Sequence, residues 1–109
     1  MTVELTPEEM RALGYRVVDT IVDHLATLKD KPATGQSDWD SLEAALAGPP
    51  PEHGAPPDQV MDLLERELLP HVMYTNHPRF FAFVPGPSNF AGVMADALAS
   101  GLNVIACDW

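Results

Sequence analysis

The sequence predicts a mainly α-helical chain, and three observations support this fold class. Apolar residues recur at helical spacing over about 7–30, 57–70 and 89–101. Each of these segments begins with residues that favour a helix N-terminus and ends near proline or glycine. The composition, 46% hydrophobic and 20% charged over 109 residues, is typical of a globular protein.

The first helix has a complete N-terminal signal. Thr6 is a good N-cap, Pro7 suits the first helical position, and Glu9 completes a capping box. Pro32 and Gly35 are expected to end the helix. The apolar residues that share one face are Met10, Leu13, Val17, Val18, Ile21, Leu25 and Leu28. A single apolar stripe of this kind must dock on another element.

A proline-rich connector separates the first helix from the next long one. Asp40 is expected to cap a brief helix before it, and residues 48–57 form a stiff, extended segment. Pro57 and Asp58 then open the second long helix, which Pro70 ends.

The last part of the chain reads as an aromatic segment followed by a helix. Residues 80–84 are apolar on both sides, which predicts a short buried strand or extended segment. Residues 85–87, Pro-Gly-Pro, break it; Ser88 or Asn89 caps the last helix, and Gly101 is its expected stop. Such an element can line an apolar pocket, and ordinary core packing accounts for it equally well.

Charge is distributed unevenly along the chain. Residues 1–67 carry 14 acidic and 5 basic side chains, whereas residues 68–109 carry only three charges. A stretch so poor in charge is expected to be buried on most sides. The rest of this short chain is too small to cover it, so another subunit or further sequence is expected to do so.

Several function classes are disfavoured by composition. The net charge of −10 argues against nucleic acid and anionic membranes as partners. No apolar run approaches the roughly 18 residues of a membrane span, and the first residues do not form a secretory signal. A single cysteine excludes an internal disulfide, so a cytoplasmic location is expected.

The sequence contains no complete catalytic or metal-binding pattern. Cys107 has no nearby base and lies in an apolar run, which favours a buried, inert thiol. His24 is expected to pack beside the apolar stripe, His53 to be solvated, and His71 to lie at a helix exit. His77 precedes the aromatic segment; a structural role is favoured, with a site role as the alternative.

The stretch from His77 onward matches a motif of the form H-P-x-F-F-A/G-(aromatic)-x-P, followed by a helix containing A-D-x-L. The matching residues are His77, Pro78, Phe80, Phe81, Ala82, Phe83, Pro85, Ala95, Asp96 and Leu98. Residues 14–19 and 68–70 resemble parts of the first and third helices that precede this motif, and Trp109 matches a later tryptophan. The chain therefore resembles the group II pyridoxal-phosphate-dependent decarboxylases, the family of aromatic-L-amino-acid decarboxylase.

The resemblance implies two structural parts. Residues 1–75 resemble the family's N-terminal helical arm, which packs on the second subunit of a homodimer. Residues 76–109 resemble the beginning of the large α/β domain of a fold-type I enzyme, where the cofactor binds.

The resemblance also implies a set of residues that contact a small-molecule amino-acid substrate: Phe83, Val84, Pro85 and Gly86 in one subunit, with Ile105 and Cys107 reaching the neighbouring pocket. Many family members that act on aromatic amino acids have a hydroxyl-bearing residue at Gly86, an aromatic residue at Cys107 and tryptophan at Thr75. These departures leave another amino acid open as the substrate.

The implied cofactor is pyridoxal 5′-phosphate, bound by a lysine as a Schiff base and by an aspartate at its ring nitrogen. Lys29 and Lys31 lie at the end of an exposed helix, ahead of the cofactor domain, so neither is expected to be that lysine. We therefore expect an N-terminal piece of a decarboxylase (carboxy-lyase) that acts on an aromatic or related L-amino acid. The piece itself is expected to hold no catalytic, cofactor-binding or metal-binding residues. Two alternatives are a non-catalytic helical dimerisation or binding module and a family member that makes aldehydes by oxidative deamination.

Overall fold

The computed structural model describes residues 4–33, 38–84 and 86–103, and their regular structure is helical. The α-helices are α1 (Pro7–Thr27), α2 (Trp39–Leu46), α3 (Pro57–Leu63) and α4 (Phe90–Leu102). A 3₁₀ turn at Leu28–Asp30 extends α1, and a π turn at Leu64–Leu68 and a 3₁₀ turn at Leu69–His71 extend α3. The predicted mainly α-helical fold class is confirmed.

The start of α1 is fixed by the capping box that the sequence predicts. The Glu9 backbone N–H donates to the Thr6 hydroxyl oxygen at 3.3 Å, and the Thr6 backbone N–H donates to the Glu9 carboxylate at 2.8 Å. The backbone bond from Thr6, followed by the bond from its hydroxyl, lowers the pKa of Glu9. Both ends of the predicted helix, about 7–30, agree with α1 and its 3₁₀ turn.

The cap of α2 lies two residues earlier than predicted. Asp38 has an extended backbone and occupies the N-cap position, while the Ser41 hydroxyl donates to its carboxylate. Asp40, the predicted cap, lies in the first turn of the helix, where a carboxylate is also favourable because of the helix dipole. Since both aspartates suit a helix start, the sequence pattern does not distinguish them.

The second long helix that the sequence predicts, 57–70, is not uniformly α-helical. Regular hydrogen bonding continues to Leu63, and the Leu69 backbone N–H then donates to the carbonyl oxygen of Leu64, which widens the turn. Pro70 has no N–H to continue the ladder, and the helix closes with a tight turn at Leu69–His71.

One arginine joins α1 to the helix that begins at residue 57. Arg16 donates from Nη1 to the Asp58 carbonyl oxygen at 3.0 Å, and from Nη2 to Asp62 at 2.6 Å and Glu65 at 2.8 Å. The Thr20 hydroxyl lies 2.7 Å from the other Glu65 carboxylate oxygen. The bond from Arg16, then that from Thr20, lowers the pKa of Glu65. Charge-assisted hydrogen bonds therefore hold the two helices together.

The core of the described residues is small and lies where α1 ends. Leu28 is 4% exposed, Tyr74 9% and His77 4%, and these are the buried side chains in the described ranges. The Tyr74 ring lies 5.3 Å from the ring of His24, centroid to centroid, and its hydroxyl donates to the Leu69 carbonyl oxygen. The core thus joins the end of α1 to the chain that follows α3.

The ends of α4 are set by two asparagines. The Gly92 backbone N–H donates to the Asn89 side-chain oxygen at 2.8 Å, so Asn89 is the N-cap. Gly101, the predicted stop, is still helical, and the helix ends at Asn103 with a left-handed backbone (φ 48°). Asparagine tolerates this conformation better than most residues, which lets the helix continue past the glycine.

The prediction of a buried strand or extended segment at residues 80–84 is wrong. Residues 82–84 form a bend, and Phe81 is 89% exposed, Phe83 80% and Val84 99%. The described part of the chain offers no second strand to pair with this segment, so its apolar side chains project outward. Phe83 adopts a left-handed backbone with φ 61°.

Candidate functional site

A surface cavity of about 450 Å³ lies between the second half of α1 and the chain that follows α3. Its walls combine polar and apolar surface in similar amounts, and the buried Tyr74 forms part of them. The lining residues are Thr20, Asp23, His24, Thr27, Lys31, Glu65, Leu69, Pro70 and Tyr74. The cavity therefore combines one ammonium group, one imidazole and two carboxylates.

His24 lies half-buried in this cavity, as its position beside the apolar stripe predicts. Its Nδ1 is 3.3 Å from the Lys31 ammonium nitrogen, which lies 5.9 Å from the centre of the Tyr74 ring. A lysine ammonium is only a donor, so Nδ1 must accept, and this ring is neutral. Burial, and secondly the charge of Lys31, lower the pKa of His24 below 6.5.

Protonation of His24 is expected to make the fold less stable in mildly acidic solution. Because its pKa is lowered in the folded chain, the unfolded chain takes up this proton first as the pH falls below 6.5. Stability should therefore decrease as the pH falls below about 6.5, ahead of the range near pH 4 in which most carboxylates titrate. Urea unfolding at several pH values, followed by circular dichroism, measures this slope.

The variant His24→Gln should reduce the slope in this pH range, because glutamine can accept from Lys31 but does not titrate. His53→Gln is the matched control, since His53 is exposed in the proline-rich connector. An equal slope in the parent chain and the His24→Gln variant would show that His24 is not responsible.

The cavity does not fit pyridoxal phosphate. A phosphate site needs converging backbone N–H groups or several cations, whereas here Asp23 and Glu65 place two carboxylates beside a single ammonium group. The Lys31 amine is held between His24 and Tyr74, and Lys29 is exposed. We therefore assign no step of cofactor chemistry to the described residues.

Residues 4–33, 38–84 and 86–103 contain no cluster of histidine, cysteine, aspartate or glutamate side chains arranged to hold a metal ion. In the same ranges, no helix has the length and apolar character that crossing a membrane requires.

The described residues among those expected to contact substrate do not line this cavity. Phe83, Val84 and Gly86 lie in a largely exposed, non-helical part of the chain, the described residues 78–84 and 86–87, which we call the aromatic loop. Pro85, Ile105 and Cys107 lie outside the described residues. The structure therefore places three of the six expected residues on one loop, and their contact with substrate stays a prediction.

The base of the aromatic loop is held by hydrogen bonds of Asn76 and His77, of which the sequence patterns singled out His77 but not Asn76. The Asn76 amide donates to the Ser88 hydroxyl at 2.8 Å and accepts from the Ser88 backbone N–H at 2.9 Å. His77 contacts the Lys31 carbonyl oxygen through Nε2 at 2.8 Å and accepts from the Arg79 backbone N–H at 3.0 Å. Asparagine and serine flanking a loop are a weak signal, because both are common in turns.

Comparisons with known proteins agree with one another along almost the whole chain. Over 106 residues the chain is 45% identical to an aromatic-L-amino-acid decarboxylase of Bacillus atrophaeus. This alignment covers 97% of the chain and 22% of that protein. A crystal structure of Oryza sativa TDC with PLP and tryptamine matches 100% of the chain with a TM-score of 0.86 and 27% identity, over 23% of its own length. The chain is thus similar, along almost its whole length, to one part of enzymes of the group II pyridoxal-phosphate-dependent decarboxylase family.

The resemblance to this family that the sequence motif indicated is confirmed, although no family model matches the chain. A phenylacetaldehyde synthase of Arabidopsis thaliana is also similar, with 33% identity over 102 residues, 94% of the chain and 21% of that protein. The chain spans about a fifth of the length of the curated relatives it matches. It corresponds to the N-terminal part of these group II enzymes.

Proposed function

We propose that this chain is the N-terminal part of a pyridoxal-phosphate-dependent L-amino-acid decarboxylase. The observation that carries the proposal is 45% identity to an aromatic-L-amino-acid decarboxylase along 97% of the chain. In this proposal residues 1–75 are a helical arm that packs on the second subunit of a homodimer. Residues 76–109 begin the large cofactor domain, and the enzyme is cytoplasmic.

The distribution of exposed apolar side chains supports a role within a larger assembly. In α4, Phe90, Leu98 and Leu102 are exposed, as are Phe81 and Phe83 in the aromatic loop. Large apolar patches on a protein surface usually mark contact with other protein or with a ligand. A segment with a small core and many exposed apolar side chains is expected to be covered by other protein, as an arm of a dimeric enzyme would be.

In the complete enzyme, this chain contributes substrate contacts and not the reacting groups. Phe83, Val84, Pro85 and Gly86 form one wall of the pocket, and Ile105 and Cys107 reach the pocket of the neighbouring subunit. Apolar side chains at these positions bind the substrate side chain and exclude water. Bound pyridoxal phosphate would be the electron sink for loss of carbon dioxide. The residues that hold it are expected elsewhere in the complete enzyme.

The proposal is tested by expressing the complete reading frame that contains these residues. We expect the sequence after Trp109 to continue with an S-P-A-x-T-E-like helix and later to supply a lysine for the cofactor. The purified protein, supplied with pyridoxal phosphate, should release carbon dioxide from at least one L-amino acid in a panel that includes aromatic and aliphatic members. A protein that binds no pyridoxal phosphate would instead be the non-catalytic helical module.

A second candidate function has its own support, because the chain is 33% identical to a phenylacetaldehyde synthase. In this alternative the substrate loses carbon dioxide and is also oxidatively deaminated: dioxygen and water are consumed, ammonia and hydrogen peroxide are released, and the product is an aldehyde in place of an amine. Separating the products of the same reaction by chromatography distinguishes the two: an amine supports simple decarboxylation, and an aldehyde supports the synthase.

A further inference from the structure

We propose that His77 and Asn76 are positioning residues that hold the aromatic loop in a fixed place relative to the helical arm. The effect on substrate binding rests on the proposed function, in which Phe83 and Val84 contact the substrate. The anchoring itself follows from the hydrogen bonds described for these residues.

His77 connects two parts of the chain that are 46 residues apart. Its Nε2 lies 2.8 Å from the carbonyl oxygen of Lys31, which can only accept, so Nε2 carries the proton. Its Nδ1 accepts from the Arg79 backbone N–H at 3.0 Å, so Nδ1 carries none. With 4% exposure, the ring has little water to replace either bond. The neighbours therefore select one tautomer, and that tautomer links the end of the arm to the start of the loop.

Asn76 closes the loop at its base. Both polar groups of its amide are paired with Ser88, one with the hydroxyl and one with the backbone N–H. The next residue, Asn89, caps α4. The same pair of hydrogen bonds thus fixes both the end of the aromatic loop and the direction in which α4 leaves it.

These anchors matter because the middle of the loop is exposed and holds an unfavourable backbone. Phe81 and Val84 are 89% and 99% exposed, and Phe83 has φ 61°, a region that side chains other than glycine rarely occupy. A strained conformation persists only where its surroundings impose it. Asn76 and His77 lie where the loop begins, and they are well placed to impose it.

Three substitutions at position 77 separate the two hydrogen bonds. His77→Ala removes both; His77→Gln keeps a donor that reaches toward the Lys31 carbonyl oxygen; His77→Asn keeps an acceptor for the Arg79 N–H. If the link to the arm positions the loop, His77→Ala should raise the KM for the amino-acid substrate on the order of tenfold with a smaller change in kcat. His77→Gln should restore KM more fully than His77→Asn.

Asn76 provides a second, milder series. Asn76→Ala should raise KM in the same direction as His77→Ala, whereas Asn76→Asp can still accept from the Ser88 N–H and hydroxyl and should stay near the parent value. His53→Ala in the connector is the control and should leave KM unchanged. A parent-like KM for both alanine variants, or equal effects of His77→Gln and His77→Asn, would overturn the positioning role.

A measurement without turnover separates this proposal from the proposed function. In the complete protein labelled with ¹⁵N in the histidine rings, the His77 signals are identified by their loss in His77→Gln. The proposal expects one tautomer, with the proton on Nε2 and slow exchange with water. A proton on Nδ1, or a mixture of tautomers, would refute the anchoring even in a fully active decarboxylase, and the expected signals would support it even in a protein that lacks this activity.

Discussion

Replacing Leu28 with alanine is expected to destabilise the fold by about 2–5 kcal/mol, the usual cost of removing a buried leucine side chain. Leu28 is 4% exposed in the 3₁₀ turn that ends α1, beside the buried Tyr74 and His77 in the small core. The loss combines the transfer free energy of the removed atoms with the cavity that they leave. Since small domains are stable by only about 5–15 kcal/mol, this one change should remove a large share of the total.

Urea unfolding of the 109-residue chain, followed by circular dichroism, measures the loss. Leu98→Ala is the matched control, because Leu98 is 63% exposed in α4 and alanine suits a helix. That variant should change the free energy of unfolding by no more than about 0.5 kcal/mol. Equal losses for the two variants would mean that the core does not lie around Leu28.

Features that depend on neighbouring residues were predictable from the sequence. Thr6, Pro7 and Glu9 form a capping box within one turn, and the structure contains it. The predicted limits of the last helix fell within one residue of α4 at each end. The errors of detail arose where two residues suit one role: Asp38 and Asp40 at a cap, and Gly101 and Asn103 at a helix end.

Features that depend on distant residues were not predictable in the same way. His77 is anchored by the backbone carbonyl group of Lys31, 46 residues earlier. Because every residue has a carbonyl group, no sequence pattern identifies Lys31 as the partner. Residues 80–84 are apolar enough to be buried, and this composition predicted a strand. The described residues provide neither a pairing strand nor a cover, and the segment is exposed.

The expected substrate contacts could be predicted only through resemblance to a family. Composition left residues 77–90 equally consistent with a pocket wall and with core packing. The resemblance singled out Phe83, Val84 and Gly86, and the structure adds that they share one loop anchored at its base. The anchoring role of Asn76 is visible only in the structure, because asparagine is common in turns and its presence in one is not informative.

Reversing the charge of Arg16 should release α1 from the helix that starts at residue 57. Arg16 donates to three carboxylates, those of Asp58, Asp62 and Glu65, which follow one another at helical spacing on one face. In Arg16→Glu, a fourth carboxylate replaces their shared partner, so attraction becomes repulsion and the Thr20 and Glu65 pair loses its support. We expect a clearly lower unfolding temperature and faster amide exchange across α3.

Arg11→Glu is the control, because Arg11 lies on the same helix and its one ion pair among the described residues is with Glu8 at 4.0 Å, with both side chains largely exposed. Such a surface pair contributes little to stability, so this variant should stay close to the parent. Adding Glu65→Arg to Arg16→Glu restores opposite charges across the contact and should recover part of the loss. If Arg16→Glu and Arg11→Glu lowered the unfolding temperature equally, net charge alone would explain both, and Arg16 would not be what holds α1 and α3 together.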